Sequence, residues 1–245
     1  MSSFVLLDCR LFAVGADLSG VSNKIEVSAE HEVKERTNYR SNGYKEVKAG
    51  LAAAEITGEG QWEAGDPSRV DDASWAALGG TGPYTACAED SIVGALAYFT
   101  NGMRQNFSFG DAVGEINPWS GTVKSSWPLV RGQIAHPPGT PRTTSGTGTA
   151  LNLGAVAAGK RLYAALHVLS VAGTSLPTIT ARVESDDSAG MGTPTTRLTF
   201  GAATAVSGEI LRSDGTAITD THYRLAWTIS GTTPSFMFAA AVGIQ

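Results

Sequence analysis

Alternation of apolar and polar side chains is the clearest local pattern in the chain. From Lys24 to Glu35, one set of alternate positions is mostly apolar and the other is charged or polar. The first set contains Ile25, Val27, Ala29, His31 and Val33, and the second contains Lys24, Glu26, Ser28, Glu30, Glu32 and Lys34. A period of two predicts a half-buried β-strand whose other face is acidic and in water.

A polar connection follows this strand. It contains the pair Asn42-Gly43, which suits a tight turn with positive φ. The charged segment Lys45–Lys48 then leads into a second extended segment, Leu51–Glu59. The pattern predicts a long polar hairpin.

One short helix is predicted, at Val70–Leu78. Asp66–Ser68 offers capping groups, Asp71 and Asp72 lie in the first turn, and Gly79 follows the last residue. The apolar run that follows, from Ser91 to Thr100, is too short for periodicity to separate strand from helix, and we interpret it as a strand.

The second half of the chain is predicted to be almost all strand. Arg161–Val171 and Ser235–Ile244 are apolar on both faces, whereas Thr178–Glu184 and Arg224–Ser230 alternate. Glycines separate the segments, at positions 173, 190, 208, 215 and 231. This spacing favours a β-sandwich or barrel. Strands that are apolar on both faces need cover on both, and a neighbouring subunit is the cover we expect.

Charge divides the chain into unlike halves. The net charge is −5, but residues 1–122 carry 9 basic and 17 acidic side chains, and residues 123–245 carry 9 and 6. Between them, a stretch rich in proline, glycine and threonine predicts a linker or long loop at residues 121–150, with β domains at 1–120 and 151–245.

The sequence contains no run of basic residues, so we expect no tight binding to the phosphates of nucleic acid. No apolar run approaches the roughly 18 residues of a spanning helix, and the N-terminus lacks the pattern of an export signal, so we expect neither membrane insertion nor secretion.

Candidate chemistry is sparse. Gly154–Arg161 approaches a phosphate-binding loop, but Arg161 replaces the required hydroxyl and a strand follows, so a turn is the better interpretation. Glu184–Asp187 offers carboxylates for calcium without the spacing of a known loop. Histidines occur singly and no G-x-S-x-G motif is present. We therefore expect no catalytic residue, no metal, no cofactor and no enzymatic activity. Trp62, Trp119 and Trp127 could stack on sugars or pack in a core.

A family resemblance rests on several of these segments. The acidic strand Lys24–Glu35, the polar hairpin to Lys48, the segment AGLAAAEITGEGQW at 49–62 and the short helix resemble the major tail (tail tube) proteins of long-tailed bacteriophages. GKRLYAALH at 159–167, YRLAW at 223–227 and FMFAAAVGI at 236–244 are similar to C-terminal parts of structural proteins from actinobacterial phages.

The resemblance implies a mainly β fold, a tail-tube-like sandwich or barrel with one short helix. It implies a virion protein that is assembled in the host cytoplasm and forms stacked rings with copies of itself, around a channel through which DNA passes. Other tail proteins, such as the tape measure and the terminator, are the implied partners. Two tandem tube-like domains would form pseudo-sixfold rings of three copies, whereas one tube domain with a decoration domain would form hexamers.

The resemblance also implies roles for two groups of residues. The hairpin would contact the next ring, through the candidate residues Arg36, Tyr39, Arg40, Tyr44 and Lys48. Glu26, Glu30 and Glu32 would form an acidic strand that lines the lumen or the outer wall. Two alternatives remain open: a carbohydrate-binding β-sandwich, and a capsid decoration or tail-tip protein.

Overall fold

Strands account for most of the chain, and a single short helix interrupts them in the described part. The computed structural model describes residues 7–65, 69–89 and 92–245. The elements in chain order are β1 (Arg10–Ala13), β2 (Ala16–Asp17), β3 (Ser22–Glu35), β4 (Val47–Gln61), α1 (Val70–Ala77), β5 (Thr81–Cys87), β6 (Leu96–Arg104), β7 (Ser108–Phe109), β8 (Pro118–Ser125), β9 (Val130–His136), β10 (Gly146–Thr147), β11 (Leu151–Asn152), β12 (Leu162–Asp186), β13 (Thr195–Thr199), β14 (Ser207–Arg212) and β15 (His222–Ile244). The predicted mainly β fold with one short helix is confirmed.

The strands form one continuous sheet that curls towards closure. Its main order is β13-β12-β15-β9-β6-β5-β1-β2, and β14 pairs with the first part of β12, along the edge that pairs with β13 near the end of the strand. The curl brings β14 against the β1–β2 turn: a Cβ on Gly15 would lie 2.6 Å from the carbonyl oxygen of Ser207, and one on Gly208 would lie 2.8 Å from the Cα of Val14. The backbones are therefore in direct contact, and the sheet is nearly a barrel.

The barrel interior is lined from both halves of the chain. Its buried apolar residues are Phe12, Cys87, Ala95, Ala97, Phe99, Val130, Ile134, Tyr163, Ala165, Leu169, Ile210, Ala239 and Ala241. β9 lies between β15 and β6 and pairs with both. Residues 121–150, predicted to be a linker or long loop, thus supply the end of β8 and all of β9 to the sheet. The two predicted domains therefore share one sheet, and both contribute to the barrel interior.

β12 and β15 form a long antiparallel ribbon that folds back on itself. They pair from Leu162↔Ile244 to Asp186↔His222, with register shifts near the middle. Leu166 and Val183, from opposite ends of β12, belong to the same buried cluster, so the ribbon must bend between them. The predicted turns at Gly173 and Gly231 are instead positive-φ residues within this exposed bend.

Both faces of this ribbon are covered within the chain. In β12, residues 162, 164, 166 and 168 face the sandwich core between the two halves of the ribbon, and residues 163, 165 and 169 face the barrel interior. β15 divides in the same way, with Phe238 on one side and Ala239 on the other. The expectation that a neighbouring subunit covers these faces was therefore wrong. The chain's own fold explains the apolar pattern.

The N-terminal part adds a third core and a projecting hairpin. α1 lies at Val70–Ala77, as predicted, and Gly79 follows with positive φ. The predicted caps at residues 66–68 lie outside the described residues. Ser91, the first residue of the strand predicted at Ser91–Thr100, also lies outside the described residues. The observed strand, β6, begins at Leu96. In β3 only the start of the apolar face is half-buried, because the strand runs out beyond the body and its far end is exposed on both faces.

Gly231 provides a test of the ribbon bend. It has a φ of +109°, and a Cβ there would lie 2.8 Å from the Cα of Pro177. We expect Gly231→Ala to lower the free energy of unfolding by about 1–3 kcal/mol, through backbone strain and the clash. Urea unfolding midpoints measure the effect. The matched control is Gly192→Ala, because a Cβ at Gly192 would meet no atom within 4 Å. Equal midpoints for both variants would show that the bend does not need glycine at position 231.

Candidate assembly interface

The far part of the β3–β4 hairpin extends as a two-stranded ribbon without lateral support. β4 pairs with β8 only from Glu55 to Gln61. The amide of Ala54 donates to the hydroxyl of Ser125 at 2.9 Å, beside the last of these pairs. We call residues 28–54 the distal ribbon. Within the described residues, β3 pairs with β4 alone, so one edge of the distal ribbon is open along its whole length and the other is open beyond Ala54.

The predicted ring-contact residues gather at the end of this ribbon. We call residues 36–48 the tip. Its turn is closed by bonds from the amide of Ser41 to the carbonyl of Asn38 at 3.0 Å and from the amide of Tyr44 to the carbonyl of Ser41 at 2.9 Å. Asn42 and Gly43 have positive φ, as the turn prediction required. All five candidates are exposed: Arg36, Tyr39, Arg40, Tyr44 and Lys48.

The predicted acidic strand carries compensating lysines. Glu26, Glu30 and Glu32 are exposed on β3, as expected for a wet face. Lys24 bridges to Glu26 at 3.4 Å and to Glu59 at 3.1 Å, and Lys34 pairs with Glu32. The hydrogen bond to Glu59 raises the pKa of Lys24 above its ordinary value. The face is therefore one of alternating charge rather than a continuous acidic stripe.

The other face of the distal ribbon is small and apolar. Cross-strand pairs place Ala29 opposite Ala54, His31 opposite Ala52, and Val33 opposite Ala49. Val33 is 69% exposed. Open edges with an exposed apolar face are features of surfaces that pair with another chain.

A second exposed surface lies at the opposite end of the same hairpin. The Trp62 indole stacks on Phe109 with ring centroids 5.5 Å apart, Phe107 lies 5.8 Å from Phe109, and Trp75 meets Phe107 edge-on at 5.9 Å. We call these four aromatic residues the base patch. Trp75 is 66% exposed and Phe109 is 58% exposed.

Buried Arg104 positions the base patch. Its guanidinium donates to the hydroxyl of Ser74 on α1 and, through Nε, to the carbonyl of Asn106, each at 3.0 Å. The same group lies 5.1 Å from the ring centroid of Trp119. One side chain thus ties α1 to the segment that carries Phe107. Sequence reasoning missed this cluster, although the alternation in Asn106-Phe107-Ser108-Phe109 was a signal for it.

The three tryptophans considered for sugar stacking do not form a platform. Trp119 is 1% exposed and belongs to the N-terminal core. Trp127 lies beneath the guanidinium of Arg212, 4.4 Å from its ring centroid. Trp62 is half-buried, and its indole nitrogen donates to Asp71 at 2.9 Å. The packing role is the one that the structure shows.

Two buried histidines have structural partners. His167 accepts a weak bond from the amide of Gly15 at 3.5 Å and pairs with the hydroxyl of Thr85 at 2.9 Å, so it crosses the barrel to the β1–β2 turn. Burial lowers the pKa of His167 to about 3. Nε2 of His136 accepts a hydrogen bond from Nε of Arg142 at 3.2 Å. The other ring nitrogen, Nδ1, therefore carries the proton and donates to the carbonyl of Phe238 at 3.1 Å. Burial lowers its pKa to about 4.

The carboxylates considered for calcium are engaged with the protein. Glu184 is buried and pairs with Arg182 at 2.6 Å and with Arg224 at 2.9 Å. Asp186 accepts from the amides of Ser188 and Thr193, and these bonds lower its pKa to about 2. No group of three or more potential ligands that could hold a metal occurs among the described residues. Gly159 has a positive φ just before β12. This conformation agrees with the interpretation of Gly154–Arg161 as a turn and not as a phosphate-binding loop.

No protein-family model matches the sequence, and no curated protein matches it. Three solved structures are similar in chain course. A protein of the virion of a native gene transfer agent particle is 15% identical, with 51% of this chain and 95% of that chain covered and a TM-score of 0.41. A protein of the sheath/tube terminator of PVC, an extracellular contractile injection system, is 10% identical, with 54% and 97% covered and a TM-score of 0.42.

The third is the Dit protein of phage SPP1, described as a hub of the adsorption apparatus in phages that infect Gram-positive bacteria. It is 12% identical, with 97% of this chain and 99% of that chain covered and a TM-score of 0.37. The resemblance to tail proteins is thus found again among solved structures. It is a similarity of chain course, and it does not by itself assign a function. In the described part of the chain, no helix is long and apolar enough to span a membrane.

The buried histidines predict a loss of stability in mild acid. As the pH falls below 6.5, the unfolded chain binds protons that His167 and His136 do not bind in the folded state, so the free energy of unfolding decreases. The slope should approach about 1.4 kcal/mol per pH unit for each histidine between pH 6 and 4.5. Asp186 contributes below this window, because its stabilisation is lost only as the pH falls from 3.8 towards 2.

Urea unfolding at a series of pH values measures this slope. His167→Gln and His136→Gln should each remove about half of it. The control Gly192→Ala, which removes no titratable group and places a Cβ where no atom lies within 4 Å, should leave the slope unchanged. A wild-type stability that stays constant from pH 6 to 4.5 would contradict the prediction.

Proposed function

We propose that this protein is a non-enzymatic structural subunit of a phage tail, which assembles with copies of itself into stacked rings that form the tail tube. The distal ribbon is the observation that carries the proposal. Its two strands have open edges, and its apolar residues face solvent. A two-stranded ribbon is marginally stable in water, so pairing with another chain would complete it.

The character of the buried polar groups supports a structural role. His167 and His136 are held neutral by burial and bound to main-chain and side-chain partners. Glu184 is paired with two arginines. These groups join packed strands through hydrogen bonds and ion pairs, and each has its bonding partners within the protein.

The wider role follows the resemblance to tail tube proteins. The subunits would form rings of three or six copies in the virion, meet the tape measure and terminator proteins at the ends of the tube, and enclose DNA only in transit. Assembly would take place in the host cytoplasm. The alternating charge of β3 would limit adhesion to DNA, since paired glutamates and lysines present little net charge to a phosphate backbone.

Electron microscopy of the purified protein over a concentration series tests self-assembly. We expect rings or tubes with an open bore, and the number of subunits in a ring distinguishes three from six. Single rings that never stack would favour the tail-tip alternative. A uniform monomer at all concentrations would contradict the proposal.

Shortening the tip tests whether the distal ribbon is responsible. Residues 37–45 are replaced by Asn-Gly, because Arg36 and Glu46 already pair through a 2.8 Å backbone bond and a two-residue turn can join them. We expect a folded protein whose rings no longer stack into tubes. Circular dichroism and the unfolding midpoint check the fold. Tube formation at the wild-type concentration would assign stacking to another surface.

The acidic strand is tested in a phage that carries the variant protein. If Glu26, Glu30 and Glu32 face the lumen, changing all three to lysine should slow DNA ejection, because the channel would attract phosphates. The matched control changes the same residues to glutamine, which removes charge without reversing it. Unchanged ejection and infectivity in the lysine variant would exclude a lumenal position.

A further inference from the structure

Two exposed surfaces of unlike charge lie at opposite ends of one hairpin. The tip is reached through β3, which has 14 residues. At about 3.3 Å per residue, the tip lies roughly 45 Å from the start of the strand. The base patch lies near that start, because β4 ends at Gln61, next to Trp62, and Phe109 pairs with Trp119, the partner of Gly60.

The base patch is apolar at its centre and acidic around it. Val113 and Ile116 are exposed on the loop that joins β7 to β8. This loop also carries the exposed carboxylates Asp111 and Glu115. The segment that includes α1 carries Asp71 and Asp72, and also Glu63, which pairs with Arg69. Exposed aromatic residues with a charged rim are typical of the centre of a protein interface.

The tip has the complementary composition. Tyr39 is fully exposed, Tyr44 is 79% exposed, and each is next to a cation, Arg40 or Lys45. Between residues 36 and 48 the chain has four basic side chains and one acidic side chain, Glu46, and one of the four, Lys45, pairs with Glu35 at 2.9 Å. Tyrosines can pack against tryptophan and phenylalanine, and arginine can lie over an indole face while it attracts carboxylates at the rim.

We propose that the tip of one copy docks on the base patch of the next copy. This inference rests on the proposed function, because it identifies the surface that receives the hairpin. The contact joins two different surfaces, so each copy keeps one tip and one patch available for further neighbours. Such a head-to-tail contact repeats without limit along an axis, which is the geometry that a stack of rings requires.

The experiment uses one variant for each surface in the full chain. The tip variant is Tyr39→Ser with Arg40→Ser, and the patch variant is Trp75→Ser with Phe109→Ser. All four side chains are exposed, so the fold should persist, and circular dichroism and unfolding midpoints check it. Leu176→Ser is the matched control, since Leu176 is 82% exposed at the ribbon bend and belongs to neither surface.

Sedimentation velocity should show that each variant raises the concentration needed for assembly by about 30-fold or more, as expected when aromatic anchors are lost. The control should assemble like the wild type. The decisive sample is an equimolar mixture of the two variants. Rings of the tip variant retain intact patches and rings of the patch variant retain intact tips, so the mixture should form pairs of rings that do not stack further.

Disulfide trapping gives an independent readout. In a Cys9→Ser background, a copy with Tyr39→Cys is mixed with a copy with Trp75→Cys under mild oxidation, and a cross-linked dimer is expected. The pair Leu176→Cys with Trp75→Cys should not cross-link. If wild-type tubes form but the patch variant assembles equally well and no tip–patch cross-link appears, this inference is overturned while the proposed function stands. A monomeric wild type with no cross-link would overturn both.

Discussion

The antiparallel pairing of β12 with β15 is the interaction on which the rest of the structure depends. The ribbon runs from Leu162↔Ile244 to Asp186↔His222 and bends at its exposed middle. One face of its first half closes the barrel, and the other packs on the second half to form a sandwich. The bend therefore allows one pair of strands to supply side chains to two cores. Because β9 and β14 pair with the same ribbon, the remaining sheet is built outward from it.

Complete coverage of this ribbon determines where the molecule can meet others. The apolar faces of β12 and β15 are covered within the chain, so these two strands leave little apolar surface for a partner. The β3–β4 hairpin differs, since β8 supports only its base and its far part has open edges. The contrast between two long strands whose faces are covered within the chain and an N-terminal ribbon with open edges and an exposed apolar face is the physical basis of the proposed assembly, in which strand edges and loops of neighbouring copies complete each other.

Buried polar groups hold the near-barrel at the places where strand pairing ends. His167 reaches from β12 to Thr85 and to the amide of Gly15, beside the gap that β14 and the β1–β2 turn leave in the sheet. Arg104 holds α1 and the segment before β7 at the hairpin base. Each group replaces missing backbone hydrogen bonds with side-chain ones. This arrangement keeps the closure specific, although burying these groups has a cost in desolvation.

The sequence by itself determined the local elements. Alternation and the Asn42-Gly43 turn predicted the hairpin, the acidic first turn and the glycine that follows predicted the short helix, and two-sided apolar runs predicted the buried strands. Only the tertiary structure decided what covers those strands, that Gly173 and Gly231 form a bend, and that β9 belongs to the sheet. It alone brought Trp62 to Phe109. The reason is that periodicity records how many faces of a segment are buried, whereas the partner on each face depends on contacts between residues far apart in the chain.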